Sequence, residues 1–166
     1  MKKFFELALT ILALYALQTS LLPLIAVNGI SPDLMLLATV SYAFLRGAKQ
    51  GALMGFCIGL LEDLSSGTFL GINAFTKLVI GIFFGRFSEG VFKEQFFLPV
   101  FASVGATLLN YFILAIIMLL LGYRFNPLGT AELALLPMLI YQLAFAYPVH
   151  RLLYELDKKL NKKEKH

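Results

Sequence analysis

Glu62, Asp63, Asn73 and Lys77 fall within LEDLSSGTFLGINAFTK, residues 61–77 of an otherwise apolar stretch. Carboxylates, an amide and an ammonium gathered in apolar surroundings can bind a small ion, carry a proton or tie helices together. Glu62 and Asp63 are adjacent, and on a helix their side chains would point about 100° apart. They therefore do not converge as an acid–base pair without a local break. The two histidines, His150 and His166, lie at or beyond the end of the last apolar segment, and Cys57 is the lone cysteine. No nucleophile with a positioned base, no metal-ligand set and no disulfide framework can be drawn from these residues, so an enzyme, a metal and a cofactor are not expected.

The elements that must hold the four polar residues are apolar. The chain has 166 residues, of which 59% are hydrophobic and 14% charged, with mean hydropathy +0.80. That balance predicts an all-α integral membrane protein. Breaks at Asn28-Gly29, Arg46 to Gln50, Ser65 to Thr68, Arg86 to Gln95 and Gly122 to Glu132 divide it into six segments, roughly 4–26, 32–46, 48–64, 69–87, 96–121 and 132–153. The second and third are short; merged into one hairpin they would leave four or five spans, but Arg46, Gly47, Lys49 and Gln50 suit an aqueous turn. Met1-Lys2-Lys3 and the run behind it imitate a secretory signal, yet the run continues to about Val27 without a small-x-small cleavage site, so it reads as a retained first span.

Lys and Arg in short loops are retained on the cytoplasmic side. Alternate connections carry Lys2 and Lys3, Arg46 and Lys49, Arg86 and Lys93, and the tail from Arg151 to Lys165, whereas the opposite set holds only Arg124. Both termini are thus expected in the cytoplasm, with Asp33, Glu62, Asp63 and Glu132 near the outer surface. Residues 1–153 form one expected membrane domain. Residues 154–166 form a basic tail, and along residues 150–166 Leu152, Leu153, Leu156 and Leu160 share a helical face suited to an anionic inner leaflet.

Gly47, Gly51, Gly55 and Gly59 recur every fourth residue, and Gly81 and Gly85 repeat that spacing in the fourth segment. Such rows let backbones approach closely in lipid, either to pack the chain's own helices or, on an outer face, to dock another membrane protein. Ser31-Pro32-Asp33 reads as a serine cap, a first-turn proline and an acid at the positive end of the helix dipole. Pro137 and Pro148 are expected to bend the last span, and Asn110 and Gln142 to hydrogen-bond across helices. Ser66, Gly67 and Gly71, with Ser65 and Thr68, suit a tight reversal between the third and fourth spans.

If the fourth span begins near Phe69, Lys77 sits about 10 Å into it, with Asn73 one turn above on the same face. A lysine near a helix centre costs roughly 2.5–3.5 kcal/mol, so Lys77 should either face the bundle and find a carboxylate, with Glu62 and Asp63 nearest in sequence, or snorkel outward. The third helix's dipole disfavours those acids where they stand, so they too would gain from a cation. A buried cluster of Glu62, Asp63, Asn73 and Lys77 is the expectation.

The order Ser31-Pro32-Asp33, the Gly51/Gly55/Gly59 row, Asp63, Ser66-Gly67, Gly71, Asn73-Ala74 and Gly85-Arg86 resembles the bacterial rod shape-determining MreD family. The resemblance covers most of the chain, and its specific part is the Asp63 to Ala74 stretch. It implies a non-enzymatic inner-membrane component of the cell-elongation machinery. It implies association with the single-pass protein MreC and, through it, with MreB filaments, RodA and a penicillin-binding transpeptidase. It also implies a bundle similar to the substrate-binding subunits of energy-coupling-factor vitamin transporters. Nucleic acid is not among the expected partners, and self-association stays open. The competing reading is such a vitamin-type transport subunit, but those subunits usually carry alanines four apart on the first helix, a spacing that Ala8, Ala13 and Ala16 do not keep.

Overall fold

The computed structural model describes residues 2–26, 29–67, 69–88, 97–122 and 127–162. Asn28, Thr68, Lys93, Arg124 and residues 163–166 lie outside the described residues, as does the Glu132 side chain. The described residues form six helices and no strand: α1 (Lys2–Ser20), α2 (Leu34–Arg46), α3 (Ala48–Ser66), α4 (Ile72–Phe87), α5 (Phe97–Leu120) and α6 (Pro127–Lys162), with a short 3₁₀ turn at Leu22–Ile25.

Local chemistry sets the helix ends. Pro23 cannot donate a backbone hydrogen bond and its ring crowds the preceding turn, so the first segment stops being α-helical at Ser20, short of the expected residue 26. The cap of α2 is Asp33 and not Ser31: its carboxylate accepts the Leu36 N–H at 2.8 Å, and Leu34 is the first helical residue. Gly47, at φ +85°, is the single residue between α2 and α3. Gly67 (φ +63°) and Gly71 (φ +104°) close α3 and open α4, which shifts the start of the fourth helix from about residue 69 to Ile72. The last helix starts at Pro127, contains Pro137 and Pro148, and runs unbroken past residue 153 to Lys162, a length of about 54 Å.

Among the described residues only Val100–Leu120, within α5, is by itself long and apolar enough to cross a membrane, with mean hydropathy 2.1 over 21 residues; Phe5–Ser20 and Leu34–Arg46 are apolar but shorter. The 13 residues of α2 rise about 20 Å, less than the hydrocarbon thickness of a bilayer. Apolar all round, α2 is buried along almost its entire length. One side, through Leu34, Leu37, Ala38 and Leu45, packs with Ile11 and Leu14 of α1, Ile58 of α3, and Ala146, Val149 and Leu153 of α6. The other, through Leu36, Val40 and Phe44, packs with Ile80 and Phe84 of α4 and Ala106 of α5. The bundle is wrapped around α2.

The glycine rows lie where α2, α3 and α4 meet. A Cβ on Gly51 would collide with Ala43 and the Gly81 carbonyl, one on Gly55 with the Lys77 carbonyl and Thr39, one on Gly59 with Asn73 and Ala74, and one on Gly85 with Ala48 and Gly47. Each step of four along α3 is matched by a step of four back along α4, so the two helices are antiparallel in close contact. Gly47 stands apart from the row: nothing lies within 4 Å of its Cβ position, and its positive φ is what suits glycine there.

Candidate functional site

The close α3–α4 contact places Lys77. With its backbone against Gly55, its side chain extends towards the end of the bundle where α3 stops and α4 starts, and its ammonium meets Glu62 Oε2 at 2.6 Å and Asp33 Oδ2 at 3.2 Å. Lys77 is 1% exposed, and the carboxylate side chains of Asp33 and Glu62 are 15% and 12% exposed. The bare desolvation cost of the ammonium is thus offset by two carboxylates from two other helices.

The carboxylates are themselves held. Asp33 Oδ1 caps α2 through Leu36 N–H, and the Asp33 carbonyl accepts a hydrogen bond from Gln142 Nε2 of α6 at 3.3 Å. Gln18 of α1 donates through Nε2 to Glu62 Oε1 at 3.2 Å and accepts the Met35 N–H of α2 through Oε1 at 3.0 Å. Polar groups of α1, α2, α3, α4 and α6 therefore converge on one buried node.

Asp63 does something else. Its Oδ2 accepts the Gly71 and Ala74 N–H groups at 2.9 and 3.1 Å, and its Oδ1 accepts the Asn73 N–H at 3.1 Å and Asn73 Nδ2 at 3.0 Å. It thus satisfies free N–H groups of the first turn of α4 and sits at the positive end of that helix's dipole. The penalty expected at the end of α3 is answered by α4's N-terminus and not by Lys77. The expected four-residue cluster is accordingly two adjoining arrangements: Glu62 and Lys77 with Asp33, and Asp63 with Asn73. Ser66 Oγ donates to the Asp63 carbonyl at 3.5 Å, and Gly67 and Gly71 carry the reversal between them.

Two members of the node escaped the sequence reading. Asp33 stood out only as a helix-start residue, although an acid beside an apolar run is also a partner for a lysine in that run. Gln18 passed unnoticed, although a lone amide in LALYALQTS was a signal of the same kind. Gln142 makes its cross-helix bond, whereas Asn110 is buried in α5 with its Oδ1 unpartnered among the described residues.

The opposite end is basic. Arg46 at the end of α2 pairs with Asp157 of α6, and Leu153 and Leu160 are buried while Leu152 is exposed, so the stretch from residue 153 to 160 packs partly against the bundle. His150 is buried in α6, about 12 Å of helical rise beyond Gln142, and is not part of the node. Among the described residues no group of three or more His, Cys, Asp or Glu is arranged to hold a metal ion.

In comparisons with known proteins, the family model described as rod shape-determining protein MreD matches residues 1–160. None of the curated proteins or solved structures gives a match.

Proposed function

Because the chain belongs to the MreD family of rod shape-determining proteins, we propose that it is a non-enzymatic inner-membrane scaffold that binds MreC and links MreB filaments to peptidoglycan synthesis by RodA and its transpeptidase partner. Several spans thread the bilayer with both termini in the cytoplasm, the basic end at the inner surface and the polar node near the outer one. The fold proposed with this role is the bundle of the vitamin-transporter substrate subunits.

One observation carries the reading: the charged and amide groups of the polar stretch are consumed in joining helices. Lys77 is shared by Asp33 and Glu62, Glu62 by Gln18, and Asp63 by the first turn of α4. A substrate or proton site needs polar groups left available to the solute, whereas a scaffold needs helices held in fixed relation and apolar outer faces for partners. The glycine rows are likewise used inside the chain, which directs partner binding to other surfaces.

Affinity purification of the full chain from native membranes in mild detergent, with mass spectrometry of the accompanying proteins, tests the proposal. Recovery of MreC and wall-synthesis proteins supports it. Recovery of an ATPase-driven transporter module without them would replace it by a vitamin-type transport subunit.

A further inference from the structure

A groove of about 510 Å³ runs along the outer face of α4 near its C-terminal end, lined by Val79, Ile82, Phe83, Arg86 and Phe87. We propose that this groove binds one anionic phospholipid of the inner leaflet, with its phosphate on Arg86 and an acyl chain along Val79, Ile82 and Phe83. The proposal rests on the membrane reading given above.

The lining is apolar except at one end. Residues 79, 82, 83 and 86 form one helical stripe, and Val79 to Arg86 spans about 10 Å of rise, against about 15 Å for the hydrocarbon of one leaflet. The Phe83 and Phe87 rings, 4.8 Å apart, make a continuous aromatic wall. Arg86 lies in the last turn of α4, at headgroup depth if the basic end faces the cytoplasm.

Charge separates this rim from its surroundings. Arg46 at the same end is engaged by Asp157, but Arg86 is exposed and pairs with no carboxylate among the described residues. Gly85 packs on Gly47 and Ala48, bringing the α2–α3 turn, with exposed Lys49 in the first turn of α3, beside the last turn of α4. A planar guanidinium beside a second cation, above an apolar wall, complements an amphiphile whose polar end is anionic. Basic pockets on the cytoplasmic side of membrane helices attract such headgroups. A partner's transmembrane helix would cover the apolar wall but bring no anion to Arg86.

The full chain is purified in mild detergent with an equal mixture of phosphatidylglycerol and phosphatidylethanolamine, and retained lipid is counted by native mass spectrometry. One phosphatidylglycerol is expected to be kept preferentially. Arg86→Gln is expected to lower its occupancy about tenfold, the effect of losing one charge-assisted contact, and Phe83→Ala to lower retention of both lipids. Lys159→Gln, a change in the basic tail, leaves retention unchanged. Equal retention of the two lipids, or an Arg86→Gln variant that keeps phosphatidylglycerol like the parent, overturns the site, as does a partner helix bound there in the native complex. An alkaline carbonate wash separates the premises: a chain released from membranes overturns the membrane reading, whereas one that stays embedded without lipid preference overturns the lipid site alone.

Discussion

Lys77 shows how one buried charge can organise several helices. Its ammonium reaches α2 through Asp33 and α3 through Glu62, and Glu62 in turn is held from α1 by Gln18. Removing the cation leaves two carboxylates facing one another in a mostly dry site, a change that costs about 3–5 kcal/mol when a buried pair is broken. Lys77→Met is therefore expected to lower the melting temperature sharply and to reduce the folded fraction recovered from membranes. Glu62→Gln in the Lys77→Met background should restore part of that loss, because it removes one of the stranded charges; strict additivity in the double-mutant cycle would refute the coupling. Asp63, next in sequence to Glu62, serves another helix end because neighbouring side chains on α3 point in different directions.

At the scale of elements, the α3–α4 hairpin is the unit that delivers Lys77 and Asn73 to their places. The backbones of both residues press on glycines of α3, Asn73 on Gly59 and Lys77 on Gly55, so a side chain at either glycine displaces the site along with the helix. Gly55→Leu is expected to unfold the hairpin or split it from α2, since the obstruction on one side is the α4 backbone and on the other Thr39. Gly67→Ala, where there is open space but φ is +63°, should cost only about 1 kcal/mol from backbone strain. Thermal unfolding of the two variants side by side distinguishes packing from conformation: a Gly55→Leu protein as stable as Gly67→Ala would contradict the contact. The same row accounts for the burial of α2, which Ala43 and Thr39 bring against α3.

For the whole molecule, the charges divide by end. Asp33, Glu62 and Asp63 gather where α2 and α4 begin and α3 ends, while Arg46, Lys49 and Arg86 gather where α2 and α4 end and α3 begins. The positive-inside preference then expects both termini on the cytoplasmic side. Reporter fusions at each terminus should be active only for the cytoplasmic reporter, and a cysteine placed at Ser65 should be labelled by an impermeant thiol reagent from outside in a Cys57→Ala background. Labelling from the inside alone would invert the proposed arrangement. The exposed apolar side chains of α5, among them Phe101, Phe112 and Leu119, offer an outer surface to lipid or a partner, whereas the α3 glycines do not.

Composition and the spacing of polar residues, glycines and prolines were enough to determine a helical chain, the approximate positions of the six helices of the described residues, the reversal at Gly67 and Gly71, and the need of Lys77 for a carboxylate or a route to water. These follow from local rules: an apolar period, a residue able to take positive φ, and the cost of a lone cation among hydrocarbon. Which carboxylate meets which donor was settled only by tertiary structure. Asp33 is 44 positions from Lys77, Gln18 is 44 from Glu62 and Gln142 is 109 from Asp33, and no local pattern encodes contacts over such separations. The fold alone also made the shortest helix, α2, the centre of the bundle and turned the glycine row inward, because helix packing depends on which faces meet as well as on which residues each face carries.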